Sequence, residues 1–437
     1  MKNNLLTKQS ELQRSNAEIN YRQSRNNRLP QVQGGYDYGF NSGRSIDPFT
    51  NGYINQKLTS SNVNAQGNVP VFSGFQLKNT IRQNELAFET ATMQWQQTRD
   101  ELTLQVILAY LQILNSADAL RLAKQQADVT KQQVDRLEIV SAEGATPPAN
   151  LSDLKGQYAG DHLAIISAEN TLANSVFSLA QLMAIPYDAN LEIDRSGFND
   201  SVKMYDVLPA QIYDSAVQKL ASVKASELQI STSKMAVKVA AAPFYPSVSL
   251  YGVLNTNFSS AAMLNKNLGT IEIPSGDYVV VGGNNVPVIT HQNNFSSQKI
   301  RYGTQLNNNL SSAYGISLNI PLFNSFRTRA NVKLAKNEEK NYQFIADNIK
   351  IQLKQSVDLA YTNITTTYKR YSVLQEQSAA YAESFRIAGI RFENGVINSP
   401  EYLIAKNNLD RTNANIITTR YEYLLRMKVL DFYMGRL

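Results

Sequence analysis

The chain contains no cysteine. That removes disulfide frameworks, thiolate zinc sites, cysteine nucleophiles and cysteine lipidation within these residues. Histidine is almost as scarce: His162 and His291 stand far apart, so no histidine cluster exists for metal or base chemistry. Walker loops, Gly-x-Ser-x-Gly elbows and metal-ligand spacings are missing as well, so an enzyme, a metal or another cofactor is not expected. There is no run of about 18 apolar residues, and a transmembrane helix is not expected. No Lys/Arg block interrupts the chain. The 42 basic and 36 acidic residues leave +6, spread over 437 positions, which does not point to a nucleic-acid partner. Met1-Lys2-Asn3-Asn4 is followed only by Leu5-Leu6, too short for the apolar core of a signal peptide. Either the protein is cytoplasmic or the chain starts after a removed segment.

What the sequence does have is an internal repeat. Pro70-Val71-Phe72-Ser73-Gly74-Phe75 resembles Pro321-Leu322-Phe323-Asn324-Ser325-Phe326, 251 positions later. At the same offset Leu102, Val106, Ala109, Tyr110 and Ile113 fall on Leu353, Val357, Ala360, Tyr361 and Ile364. Upstream the offset is 216, pairing Pro30 with Pro246, so the second copy carries 35 extra residues between Pro246 and Pro321. Residues 1–185 form the first copy, 186–209 a linker with short turn signals, and 210–437 the second copy.

Each copy reads as helix, two strands, very long helix, hairpin and shorter helix. In the first, strands are expected at about 31–40 and 62–71, the long helix at 75–143, the hairpin at 144–150 and the last helix at 151–185. In the second, a helix covers 210–242, strands 247–256 and 311–320, the long helix 325–393, the hairpin 394–399 and the last helix 400–437. The long segments lack internal proline, hold a single internal glycine at Gly389, and repeat apolar residues every three or four positions. A helix of about 65 residues would be about 100 Å long, which demands partners along its length. A solvated coiled-coil stalk explains those helices alone equally well.

The strand segments alternate apolar and amide or hydroxyl side chains, with Val32, Tyr36, Tyr38 and Phe40 on one face of the first and Tyr314, Ile316, Leu318 and Ile320 on one face of the fourth. In the third, Tyr251 and Val253 break the rule. Each is about the length that crosses a bilayer as a tilted strand. Four strands cannot close a barrel, and open edges are not viable in lipid, so a membrane reading requires subunits to pool strands. Pro30, Pro70, Pro246 and Pro321 mark the four passages between helix and sheet. The enlarged segment, about 257–309, holds a hairpin around Gly282-Gly283-Asn284-Asn285 and reads as a variable loop, with a pore cap or an external docking loop as alternatives. At the helical hairpins Gly144 and Gly395 are left-handed stops, Ser399 is read as an N-cap and Pro400 as the first helical residue.

The duplicated order, the Pro-x-Phe junctions at Pro70 and Pro321, and the run Arg391-Phe392-Glu393-Asn394-Gly395 through Ser399-Pro400-Glu401-Tyr402-Leu403 together resemble the TolC family of outer-membrane efflux proteins. The resemblance covers nearly the whole chain. It implies an α+β membrane protein and a homotrimer. Four strands per chain would form a shared 12-stranded transmembrane β-barrel, continued by a trimeric α-helical barrel in the periplasm. It implies a passive exit duct of a tripartite efflux or type I secretion system, set in outer-membrane lipid. A periplasmic adaptor would meet the hairpin tips, and an inner-membrane transporter of RND or ABC type would deliver cargo. A cleaved secretory signal and an N-terminal truncation are expected on the same basis.

By that resemblance Glu401 stands in a constriction ring, three like charges around a narrow axis, while Ile404 replaces a second acid. Phe392 stands where a tyrosine can form a closing hydrogen bond that phenylalanine cannot donate. Gly144, Gly395, Ser399 and Pro400 match tip positions met by the adaptor, and Pro147-Pro148 departs from the usual first tip. A trimeric coiled-coil or adhesin-type surface protein with a membrane anchor is the alternative. Its strands should gather at one end of the chain, whereas here they are split between two copies.

Overall fold

The computed structural model describes residues 4–46, 51–55, 57–143, 147–188, 194–195 and 201–436. The first copy holds α1 (Leu5–Asn26), β1 (Gln31–Asn41), a short pair β2 (Arg44–Ile46) and β3 (Tyr53–Asn55), β4 (Leu58–Ser73), α2 (Gln76–Ala142) and α3 (Pro148–Met183). The second holds α4 (Pro209–Lys219), α5 (Ala221–Ala241), β5 (Ser247–Ser259), β6 (Met263–Val281), β7 (Asn284–Lys299), α6 (Tyr302–Asn308), β8 (Ser311–Asn319), α7 (Arg327–Glu393) and α8 (Ser399–Tyr433). The described parts of 186–208 carry no regular element, and the turn signals at 189–190 and 196–200 lie outside the described residues.

The duplication is visible in the element boundaries. Both α2 and α7 run for 67 residues, and their starts and their ends are each 251 positions apart. The starts of β1 and β5 keep the other offset, 216. Even the strand-to-helix turn is copied: Gly74 and Phe75 have φ of 59° and 64°, Ser325 and Phe326 have 55° and 59°. At Gly74 the geometry leaves no alternative, because a Cβ there would lie 2.3 Å from the Ala242 carbonyl oxygen.

Two compact units cut across the copies. The first comprises Met1–Arg22, Ile81–Val237 and Lys333–Leu437, and the second Gln23–Thr80 and Lys238–Val332. In the helical unit, Leu111 and Leu114 of α2, Ile212 and Ala216 of α4, Val357 and Ile364 of α7, and Tyr421 and Leu424 of α8 form one buried cluster. One 18-residue stretch of α2 has a mean hydropathy of 1.2 and meets the length-and-composition test for crossing a membrane, contrary to the sequence expectation. A third of that stretch is buried inside the chain, and α2 supplies Leu111 and Leu114 to the core, which is the ordinary reason for such a run.

The expected helix over 210–242 is broken. Leu220 adopts an extended backbone, φ −64° and ψ 131°, between α4 and α5. No glycine or proline announces the break. The extended backbone accompanies burial of the Leu220 side chain in the main cluster, while Lys219 Nζ and Ser215 Oγ donate to the Met434 carbonyl.

In the second unit, four strands form one antiparallel sheet in the order β1-β4-β5-β8. β4 is longer than expected at both ends. Pro70 therefore does not end its strand; it sits inside β4 at an irregularity where the register with β5 shifts. The β1 pairing stops at Gln31 opposite Asn68, so the missing N–H of Pro70 costs no ladder bond on that side. Pro30, Pro246 and Pro321 do flank strands.

The enlarged segment is no irregular loop. β6 and β7 pair from Met263 opposite Lys299 to Val281 opposite Asn284, so the turn is Gly282-Gly283 alone, with φ of 64° and 87°. Its base is stapled by Gln305, 1% exposed, which donates to the Ser259 and Ile300 carbonyls and accepts from the Ser259 N–H.

Candidate channel surfaces

The sheet presents one continuous apolar face. Tyr36 pairs with Val63, Ala65 with Leu254, Val69 with Leu250, and Leu250 with Ile316, so the alternating apolar positions of all four strands fall on the same side. Much of it is open among the described residues, with Val32 73% exposed, Tyr314 89% and Ile316 70%, while Tyr302 of α6 lies against Ser61 and Phe258 at one end. The other side carries Gln33, Asn64, Gln66, Asn68, Asn255 and Ser317. Tyr251, which breaks the alternation in sequence, lies on that polar side over Gly315, where an added Cβ would come within 2.7 Å of its hydroxyl. The two outer strands, β1 and β8, each have one side without a partner in this sheet.

The helical hairpins bring the sequence-selected residues together only in part. Gly144 lies outside the described residues. Gly395 is left-handed with φ 68°, and Val396 N–H donates to the Arg391 carbonyl at 2.8 Å, closing α7 as a glycine stop. Pro148 belongs to α3 as its first residue, preceded by Pro147 as an extended cap without a side-chain bond.

Ser399 is not the N-cap. Asn398 takes that role, its Oδ1 accepting from Glu401 N–H at 3.1 Å, which leaves Ser399 first and Pro400 second in α8. Ser399 is fully buried. Its hydroxyl donates to Asp153 Oδ2 at 2.6 Å and its N–H to Asn150 Oδ1 at 3.3 Å, tying α8 to the start of α3. An Arg136–Glu393 pair at 2.5 Å joins α2 to α7.

Glu401 is exposed in the first turn of α8. Phe392 is buried and stacks on Tyr402 at 4.8 Å between ring centres, in a cluster with Val134 and Leu154. Burial pushes the Tyr402 hydroxyl up to about 12.

Two polar clusters escaped the sequence reading. Lys406, 2% exposed in its side chain, lies 3.2 Å from Asp161 and 2.6 Å from Asp410. Gln157 donates to Asp161 at 2.7 Å, and Thr130 bonds the same carboxylate. Burial raises the Asp410 carboxyl above its usual range, although Lys406 opposes this. The spacing of Lys406 and Asp410, one helical turn apart, was the available signal. Further along, Asp118, 1% exposed, accepts from Arg195 at 2.7 Å, Arg420 at 2.6 Å and Tyr421 at 2.8 Å. Burial would raise its carboxyl, but the Arg195 and Tyr421 bonds and the guanidinium charges outweigh it and hold the group below the usual carboxylate range. Among the described residues no His, Asp and Glu group could hold a metal ion. These arrangements hold helices together; they offer no nucleophile with a base beside it.

The family model of the outer membrane efflux protein matches residues 1–184 and 212–436. The chain is 21% identical to the outer membrane protein TolC of Vibrio cholerae serotype O1 over 358 residues, 79% of this chain and 70% of that one. Among solved structures it is similar to the Campylobacter jejuni CmeC outer membrane channel, with a TM-score of 0.77 at 15% identity over 99% of this chain and 83% of that one. It is also similar to VceC of Vibrio cholerae, with a TM-score of 0.75 at 12% identity over 98% and 92%. The match spans both copies, so the exposed apolar sheet face and the long helices are those of an outer-membrane channel protein and not of an enzyme. The chain belongs to the outer membrane efflux protein family.

Proposed function

We propose that three copies of the chain join into one exit duct, with four strands each completing a 12-stranded barrel in the outer membrane and the helices continuing as an α-helical barrel in the periplasm. One observation carries this reading: a four-stranded antiparallel sheet whose apolar face is exposed over much of its length and whose two outer strands have no partner on one side among the described residues. In lipid, every strand edge must be paired, and closure with neighbouring copies pairs them. The duct passes cargo passively. An inner-membrane transporter delivers it, and a periplasmic adaptor engages the hairpin tips around Pro147, Pro148, Gly395, Ser399 and Pro400, together with Gly144, which lies outside the described residues. Phe392 supports the tip by packing on Tyr402. Glu401, exposed at the start of α8, lines the narrow end as one of three carboxylates.

The native mass of the full chain in mild detergent tests the proposal. A heat-sensitive trimer that forms cation-selective channels in a planar bilayer is the expected result. A monomer that stays soluble without detergent would sink the pooled barrel.

A further inference from the structure

The segments where the sheet meets the helices carry charge of one sign. No Asp or Glu occurs in residues 19–36, 67–84, 228–271 or 278–337. The second unit nevertheless gathers Arg25, Arg28, Lys78, Lys238, Arg327 and Arg329 from these segments, all exposed. The sequence showed no basic block because the cations come from four separate stretches. Lys78 stands in the first turn of α2, and Arg327 and Arg329 in the first turn of α7, and neither turn has an acidic residue. A helix N-terminus disfavours cations, so this placement costs stability unless an anion is near.

Arg28 and Lys78 share a surface groove of about 340 Å³ with Val71, Phe72, Phe75 and Leu77. Phe72 and Phe75 meet edge to face at 5.2 Å, and Phe75 extends the apolar wall to Tyr245 at 6.2 Å. Two cations beside a hydrocarbon wall match an amphiphile with an anionic head. A free anion would not use the wall, and an apolar chain would not use the cations. The second copy lacks the pair: Arg329 corresponds to Lys78, but Phe244 stands in place of Arg28.

We propose that this groove binds one acidic phospholipid of the periplasmic leaflet, its phosphate held by Arg28 and Lys78 and an acyl chain lying along Val71 and Phe75. The proposal rests on the reading that the apolar sheet face meets lipid, because the groove continues from that face.

The test uses the full chain in a zwitterionic detergent, titrated with palmitoyl-oleoyl phosphatidylglycerol, with the phosphatidylcholine of the same chains, and with inorganic phosphate, and read by native mass spectrometry. One tightly held phosphatidylglycerol per chain is expected, with a preference over phosphatidylcholine of about thirtyfold. Each of R28Q and K78Q, at exposed positions, should lower the phosphatidylglycerol affinity by about fivefold, and the double variant should abolish the preference. F75S should weaken both lipids without changing their ratio. Equal binding of the two lipids, or an unchanged preference in R28Q/K78Q, overturns the site. Inorganic phosphate displacing the lipid at equal concentration overturns it in favour of a free-anion site. The same spectra report the oligomer: a monomer overturns the shared barrel, whereas a trimer without the lipid preference overturns the groove alone.

Discussion

Ser399 reaches Asp153 across 246 residues of sequence, its buried hydroxyl donating to the carboxylate at 2.6 Å. The bond ties the first turn of α8 to the first turns of α3, next to the hairpin tips. Ser399→Ala should cost about 1 kcal/mol, the net worth of one such bond, and lower the melting temperature in detergent by a few degrees. If the tie holds the tip closed, basal single-channel conductance rises as well. Asn398→Ala removes the helix cap at a similar cost of about 1 kcal/mol without touching Asp153. Equal conductance in both variants would take Ser399 out of the gate.

Lys406 stands between two carboxylates with 2% of its side chain exposed, so its loss leaves Asp161 and Asp410 uncompensated. Lys406→Met should cost about 3–5 kcal/mol, and adding Asp161→Asn and Asp410→Asn should restore much of it. The pH dependence has a definite sign. Asp410 has a raised carboxyl in the folded chain, so its contribution favours folding at low pH and is lost as pH rises through the folded value. Without Lys406 that trend steepens, and the variant should melt higher at about pH 5 than at about pH 7. Asp118 works the other way. Its lowered carboxyl stabilises the folded chain at neutral pH, and that contribution is lost as pH falls through the folded value. Asp118→Asn should therefore flatten the acid limb of the melting curve. A pH-independent melting temperature in Lys406→Met would show that the two carboxylates do not carry the charge assigned to them.

The architecture was legible because periodicity and offset are properties of the chain alone. The 251-residue offset read from Pro70 and Pro321 reappears in the ends of α2 and α7, and the 216-residue offset in the starts of β1 and β5. Pairing was less legible. Pro70 looked like a strand end because proline cannot donate to a ladder, yet an interior irregularity accommodates it. Leu220 breaks a helix with no local signal, since the break depends on a core built with three other helices, α2, α7 and α8. At the tips, glycine stops were readable from residue type, but the choice of Asn398 over Ser399 as the cap depended on Asn150 and Asp153 being within reach of the serine. Burial of Lys406 is a tertiary fact that no window of sequence contains.

The repeated left-handed turn gives an internal control. Gly74→Ala should destabilise strongly, because it adds a Cβ facing the Ala242 carbonyl at 2.3 Å as well as backbone strain at φ 59°. The strain alone is worth about 1–2 kcal/mol. Ser325 holds the equivalent place at φ 55°, so Ser325→Gly should be neutral or stabilising by up to about 1 kcal/mol. Melting temperatures of the two variants in the same detergent decide the matter. A harmless Gly74→Ala would mean that the turn relaxes and the close approach to Ala242 is not required.

Glu401 tests the gate without touching the fold. Its side chain is exposed, and its N–H is already capped by Asn398. Glu401→Gln keeps the shape and removes one negative charge per chain, three in a trimer. Cation preference in a planar bilayer should fall while folding stability stays within about 0.5 kcal/mol of the parent. Unchanged selectivity would place the constriction elsewhere.

The two sides of β8 make opposite predictions at neighbouring positions. Ile316 lies on the apolar face and Ser317 on the polar one, both exposed in the single chain. In water the two sites would accept lysine about equally, since neither is packed within the chain. In a lipid-facing barrel they would not. Ile316→Lys should cost on the order of 2–4 kcal/mol if it lies near the bilayer centre, whereas Ser317→Lys, facing the lumen, should cost little and shift ion selectivity. Urea unfolding from phosphatidylcholine vesicles measures the difference. Equal costs at 316 and 317 would mean that neither face meets hydrocarbon, and the sheet would then need a protein partner over its apolar side.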